Sequence, residues 1–388
     1  MKRSIFGMGT SGKPAISRRS LLTAAMITLA GTTVLAKPGP PAPKPGLPAT
    51  DDYTRTNLVS DEPGMALLTD TNLVNAWGIS FSSSSPFWVS DNGSGLATVY
   101  SVTYDTNGVV SVVKAGLQVT IPGDGTPTGQ AFNTTTRFHT NVFLFVSEDG
   151  TISGWRPALG MTAEVLVPGI SNNVYKGMTL TTNGSGPVLL AANFRNGTVD
   201  EYDGDLNLLG QFADNRAPAG YAPFNVQSLE GIVYVTFAKQ DAAKHDDVAG
   251  RGHGLIDVFN PSTGKFRRFA TGSAAWGFLP EINSPWGLAI APSTFGRHAD
   301  QLLVGNFGSG TIMAFEANGD FKGLLEDANT RERPMVIDGL WGLAFGNGGK
   351  AGRPSTLYFS AGPDGESHGL FGAIDPAPEE IHHPYWGW

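Results

Sequence analysis

The sequence predicts an all-β protein: a six-bladed β-propeller with four-stranded blades, its ring closed by an N-terminal strand. Three observations carry this. One unit recurs six times at intervals of roughly 50 to 60 residues in a chain of 388, and repetition on this scale marks solenoids, propellers and arrays. The composition is rich in turn formers, with 51 Gly and 26 Pro, and only 15% of residues are charged, so few solvated helices are expected. The sixth copy lacks a fourth strand, while a spare strand-like segment precedes the first copy.

The N-terminus reads as an address. Lys2, Arg3, Lys13, Arg18 and Arg19 precede an uncharged run from Leu21 to Ala36, the layout of a cleavable export signal over residues 1–36. Ser17-Arg18-Arg19-Ser20-Leu21-Leu22 resembles a twin-arginine signal. A general secretory signal and a single anchoring helix are the competing readings. Residues 37–50 form a proline-rich spacer, residues 51–374 the propeller, and residues 375–388 a Pro-, Glu- and His-rich tail. An exported protein, periplasmic or extracellular in a bacterium, follows as the expectation, with no membrane span in the mature chain.

The repeat is clearest over Ser284 to Gly323. First strands open at Trp77-Gly78, Thr128-Gly129, Lys176-Gly177, Asn225-Val226, Trp286-Gly287 and Trp341-Gly342. Second strands start at Pro86, Asn141, Val188, Ile232, Gln301 and Thr356. Third and weaker fourth strands follow, bounded by Asn-Gly, Asp-Gly and Gly-Ser turns, the chemistry of antiparallel hairpins. Thr54 to Ser60 could supply the missing strand of the sixth blade and pair the ring's open edges. An open solenoid is the alternative, but it needs caps.

Composition excludes several functions. A net charge of −8 without a basic cluster argues against nucleic acid. With no cysteine, thiol chemistry and zinc-thiolate sites are impossible. Gly7 to Lys13 imitates a phosphate loop, but Pro14 stands where a hydroxyl is required. No zinc-protease helix motif occurs.

In a propeller every turn from the second to the third strand lies on one rim. The ends of the second strands read Asp91, Glu148, Asn193, Lys239, Asn306 and Ala361. Oxygen donors from separate blades are what calcium requires. Asp91, Glu148, Asn193 and Asn306 are therefore the candidate metal ligands, with calcium as the candidate cofactor. Ordinary turn capping is the competing reading, and a one-residue slip of register would turn these side chains to the other face. Blade four departs from the pattern, because Lys239 to Gly254 inserts about 16 residues between its second and third strands. Long loops of this kind are often functional. His245 is the best candidate base, with Glu148 as the second catalytic candidate. Lys239, Asp241, Asp246, Asp247, Arg195, His253 and Tyr221 are candidate binding residues. Trp77, Trp286 and Trp341 are expected to pack between blades, and Phe194 and Phe307 at the rim.

The stretches FWVSDNGSG, SEDGTISGW, NFRNGTVDEYD, AGYAPFNVQ, NSPWGLAIAP and IDGLWGLAFGNGG resemble a family of exported bacterial proteins of unknown function, some of which carry a C-terminal sorting tail. The resemblance implies a propeller-like fold and export, but brings no catalytic residues. The Asp, Glu and Asn set also looks like that of calcium-dependent six-bladed lactonases. Three function classes stay open. One is a metal-dependent hydrolase of a small ester or lactone. Another is a non-catalytic propeller of the cell envelope that binds a small molecule or glycan or acts as a scaffold. A redox cofactor role is a third. A monomer is expected.

Overall fold

The computed structural model describes residues 52–272, 281–330 and 334–377. The expected export signal and spacer, and most of the expected tail, lie outside the described residues. Within them the chain is almost wholly strand and turn, with three 3-10 turns of three residues each.

Five sheets have four antiparallel strands each, taken in chain order. Their innermost strands are Ala76–Ser80, Pro127–Phe132, Tyr175–Thr182, Tyr221–Leu229 and Pro285–Ile290. The sixth begins with Leu340–Phe345, continues through Leu357–Ala361 and Leu370–Pro376, and is completed by the N-terminal Asp52–Ser60. That strand runs antiparallel to Leu370–Pro376, from Tyr53 opposite Pro376 to Ser60 opposite Leu370. The six-bladed propeller and its closure by the N-terminal strand are thus as expected. Closure satisfies two sheet edges that would otherwise template aggregation.

Each inner strand carries an irregularity near its start. In blade three, Tyr175 faces Asn193 and Gly177 faces Ala192, which leaves Lys176 bulged out between them. In blade four, Pro223 faces Phe237 and Asn225 faces Thr236, so the bulged residue is Phe224. The repeat in blade four therefore enters one residue earlier than the sequence alignment places it. The equivalent residues are Trp77, Thr128, Lys176, Phe224, Trp286 and Trp341.

The aromatic side chains among these meet at the centre of the ring. Trp77 stacks on Trp341 with centroids 3.6 Å apart, and Phe307 stacks on the same Trp341 at 3.9 Å. Trp286 meets both tryptophans edge-on, at 6.4 and 6.0 Å, and Phe224 packs on Trp341 at 5.8 Å. Phe194 joins through Phe224 at 5.2 Å. Residues of five blades touch one another only on the axis, so the tryptophans plug the central channel rather than packing between blades. Phe194 and Phe307 likewise belong to the plug.

The glycine after the axial residue has a steric reason. A Cβ on Gly129 would come within 2.5 Å of the Met178 backbone nitrogen, and one on Gly78 would strike the Thr128 carbonyl. In the five blades that carry glycine, the neighbouring inner strand approaches too closely for a side chain there. Blade four uses Asn225 at this position, and its Nδ2 donates to the Trp286 carbonyl at 2.8 Å.

Candidate functional site

Where blades one, five and six place tryptophan on the axis, blade three places Lys176. Its side chain is 2% exposed, and a buried ammonium needs anionic partners. It has two: Nζ donates to Glu148 Oε1 and, at 2.9 Å, to Asp246 Oδ1. The Trp77 ring lies 5.2 Å from the ammonium, within cation–π range. Burial works to lower the Lys176 pKa, but the Glu148 and Asp246 charges outweigh it and hold the group above its ordinary value. Burial also opposes ionisation of Asp246, and there Lys176 and His245 prevail and lower its pKa.

The network continues on both sides. Asn92 Nδ2 donates to Glu148 Oε2 at 3.0 Å, and Asn75 Nδ2 donates to Asn92 Oδ1 at 3.2 Å and to Glu366 Oε2 at 2.7 Å. Trp341 Nε1 donates to Asn75 Oδ1 at 3.0 Å, which ties the plug to the polar cluster. Burial pushes the Glu366 carboxyl above the usual range. On the other side, Asp246 Oδ1 lies 3.0 Å from His245 Nδ1. A carboxylate only accepts, so Asp246 selects the imidazole tautomer with hydrogen on Nδ1. Nε2 is then the nitrogen left to meet a ligand.

His245 and Glu148 line one cleft of about 570 Å³ at the rim, together with Asp124, Asp149, Asn173 and Arg195. Arg195 Nη1 donates to the Ser171 carbonyl at 2.5 Å, while its Nε is buried with no hydrogen-bond partner. The structure thus gathers His245, Glu148, Asp246 and Arg195. Other candidates build the blade-four loop. Asp241 Oδ1 accepts from the His245 backbone N–H at 2.8 Å, His253 Nδ1 bonds the Val248 carbonyl at 2.7 Å, and Tyr221 Oη donates to the Gly252 carbonyl at 3.2 Å. Lys239 contributes its carbonyl to the Val248 N–H at 2.8 Å. Asp247 is turned inward: its Oδ2 is buried with no hydrogen-bond partner, and burial raises its pKa against the opposing influence of Ser284 and Lys176.

The expected calcium ligands part company. Strand register makes Ser147, facing Pro127, the equivalent of Asp91, Asn193 and Asn306, which face Ala76, Tyr175 and Pro285. Glu148 lies one residue further on, and successive strand residues point to opposite sides. Asn193 donates to Asp200 at 2.8 Å and to Asn173 at 2.9 Å, inside blade three. Asn306 Oδ1 accepts from the Asn283 backbone at 3.0 Å, and its amide donates to Thr311 Oγ1 at 3.3 Å. Asp91 is wholly buried, and burial raises its pKa well above the usual range despite Thr98. Glu148, His245 and Asp246 do bring ligand atoms within 4.8 Å of one another. Lys176 nevertheless sits between the two carboxylates and supplies the positive charge there, so this donor set does not suit calcium.

Lys176, Asn92, Asn75 and Glu366 are site residues that were not among those expected from the sequence. One signal was legible: Lys176 occupies a repeat position that three other copies fill with tryptophan.

Among the described residues, no helix is long and apolar enough to cross a membrane. No family model matches the chain. An aldose sugar dehydrogenase of Escherichia coli superposes with a TM-score of 0.50 at 12% identity, over 84% of this chain and all of that one; the likeness is one of fold. An uncharacterised protein of Acanthamoeba polyphaga mimivirus is 29% identical over 341 residues, 82% of this chain and 78% of its own length. A second from the same virus is 30% identical over 344 residues, 82% of this chain and 84% of its own. These relatives overturn the expectation of a bacterial exported protein, since they come from a giant virus. The chain belongs to the family of these uncharacterised mimivirus proteins.

Proposed function

We propose that the protein hydrolyses a small ester or lactone in the rim cleft, with His245 as general base. The supporting observation is the shared oxygen Asp246 Oδ1, which accepts from both Lys176 and the cleft-lining His245. Lys176 fixes Asp246, and Asp246 fixes the imidazole. His245 Nε2 takes a proton from water as the water oxygen adds to the carbonyl carbon. The carbon–oxygen bond to the leaving group then breaks, and the proton passes to the departing alkoxide. Arg195, on the same cleft wall, is the group placed to receive negative charge on the carbonyl oxygen. Calcium has no role in this reading.

One observation favours a second reading, non-catalytic ligand binding. Lys176, Glu148 and Asn92 satisfy one another, as in a network that only fixes shape. Initial rates with 4-nitrophenyl acetate and γ-butyrolactone separate the two. Under hydrolysis, Asp246→Asn and Arg195→Ala each lower kcat, the first by freeing the imidazole and the second by leaving the developing charge unmet. If neither compound is turned over, the binding reading stands instead.

A further inference from the structure

We infer that the opposite end of the axis holds a second ligand site, one that takes a small apolar molecule, neutral or cationic. Below the tryptophan plug lies a cavity of about 510 Å³ walled by the inner strands of all six blades. This is within the ~300–1,000 Å³ range of small-molecule sites.

Its wall repeats once per blade. The fourth residue after each axial position is Phe81, Phe132, Leu180, Ser228, Ile290 or Phe345, and all six line the cavity. Five of the six are apolar. Each is only half-buried although it lies inside the ring, so the exposed part of each side chain faces the cavity. Exposed apolar surface at a pocket, rather than scattered over the outside, is the mark of a binding site.

The polar groups of the wall are largely spent. Gln130 Nε2 donates to the Gly78 carbonyl at 2.7 Å and its Oε1 accepts from Ser80 Oγ at 2.9 Å. Thr179 Oγ1 accepts from the Ser228 N–H at 3.1 Å. Among the described lining residues the sole charge is Glu230, with no lysine, arginine or histidine to receive an anion. The two ends of the axis thus differ in chemistry: the rim cleft carries Arg195 and His245, while the lower cavity has apolar walls and a single carboxylate.

The experiment is a fluorescence titration of the full chain with neutral N-phenyl-1-naphthylamine. Saturable binding at one site per chain is expected, with the anionic 1-anilinonaphthalene-8-sulfonate at least tenfold weaker. Ala131→Trp fills the cavity, and Leu180→Glu charges it without filling it. Each should weaken binding at least tenfold, while His245→Gln leaves it unchanged. Three results overturn the proposal. One is no saturable binding, as would follow if another part of the chain filled the cavity. The second is binding untouched by either cavity variant, and the third is equal affinity for the anionic dye.

Discussion

Lys176 and Glu148 form a buried ion pair across the boundary between blades two and three, and the same ammonium reaches Asp246 of the blade-four insertion. One side chain therefore fastens three blades at the axis. Removing it leaves Glu148 facing Asp246 without a counter-charge. Lys176→Met is expected to lower unfolding free energy by about 3 to 5 kcal/mol, the cost of breaking a buried pair. Adding Glu148→Gln should recover part of the loss. Urea unfolding measures both, and a loss below about 1 kcal/mol would place the pair with ordinary surface bridges.

Glu366 gives a pH dependence. Its folded pKa is raised by burial, so the fold prefers the neutral form. That preference is fully present below the unfolded pKa and is lost as pH rises through the folded one. Glu366→Gln keeps an acceptor for Asn75 Nδ2 and cannot ionise. The variant should melt higher than the parent at neutral pH and lose the downward slope above the ordinary carboxyl range. A melting temperature lower than the parent's across pH 5 to 8 would contradict this.

The axial glycines are tested by a pair of alanines. Gly129→Ala drives a Cβ against the Met178 backbone and should cost about 1 to 3 kcal/mol by overpacking. Gly116 has open space around its missing Cβ, and Gly116→Ala should be neutral or stabilise by up to about 1 kcal/mol. Equal effects at the two sites would mean that close approach of inner strands is not what selects glycine.

Chelation tests the metal directly. With Lys176 supplying positive charge between Glu148 and Asp246, EDTA should leave the melting temperature unchanged, and added calcium should not raise it. A fall of several degrees on chelation would restore a structural ion.

Much of this was legible in the sequence. Six copies with strand-length apolar runs dictate the ring, and the missing fourth strand of blade six dictates closure by Asp52–Ser60. The site was half legible. His245 and Asp246 stood out because they lie in the one long insertion, and Glu148 because it ends a second strand. Asp91, Asn193 and Asn306 were aligned with one another correctly, but Glu148 was placed one residue off, where Ser147 belongs, and period-two alternation turns such a slip into the opposite face. The same sensitivity hid Phe224 behind Asn225, since a bulge is invisible to a pattern search. Asn75 and Glu366 are 291 residues apart and meet only because the ring closes. No local pattern encodes that meeting.

Hydrolysis by the His245→Gln variant bears most directly on the proposed chemistry. Wild-type protein should turn over 4-nitrophenyl acetate or γ-butyrolactone with saturation kinetics. The variant, melting at the same temperature, should lose at least about 100-fold in kcat, as removal of a general base does. A wild-type rate no greater than buffer, or a variant rate within a few-fold of wild type, would contradict the account.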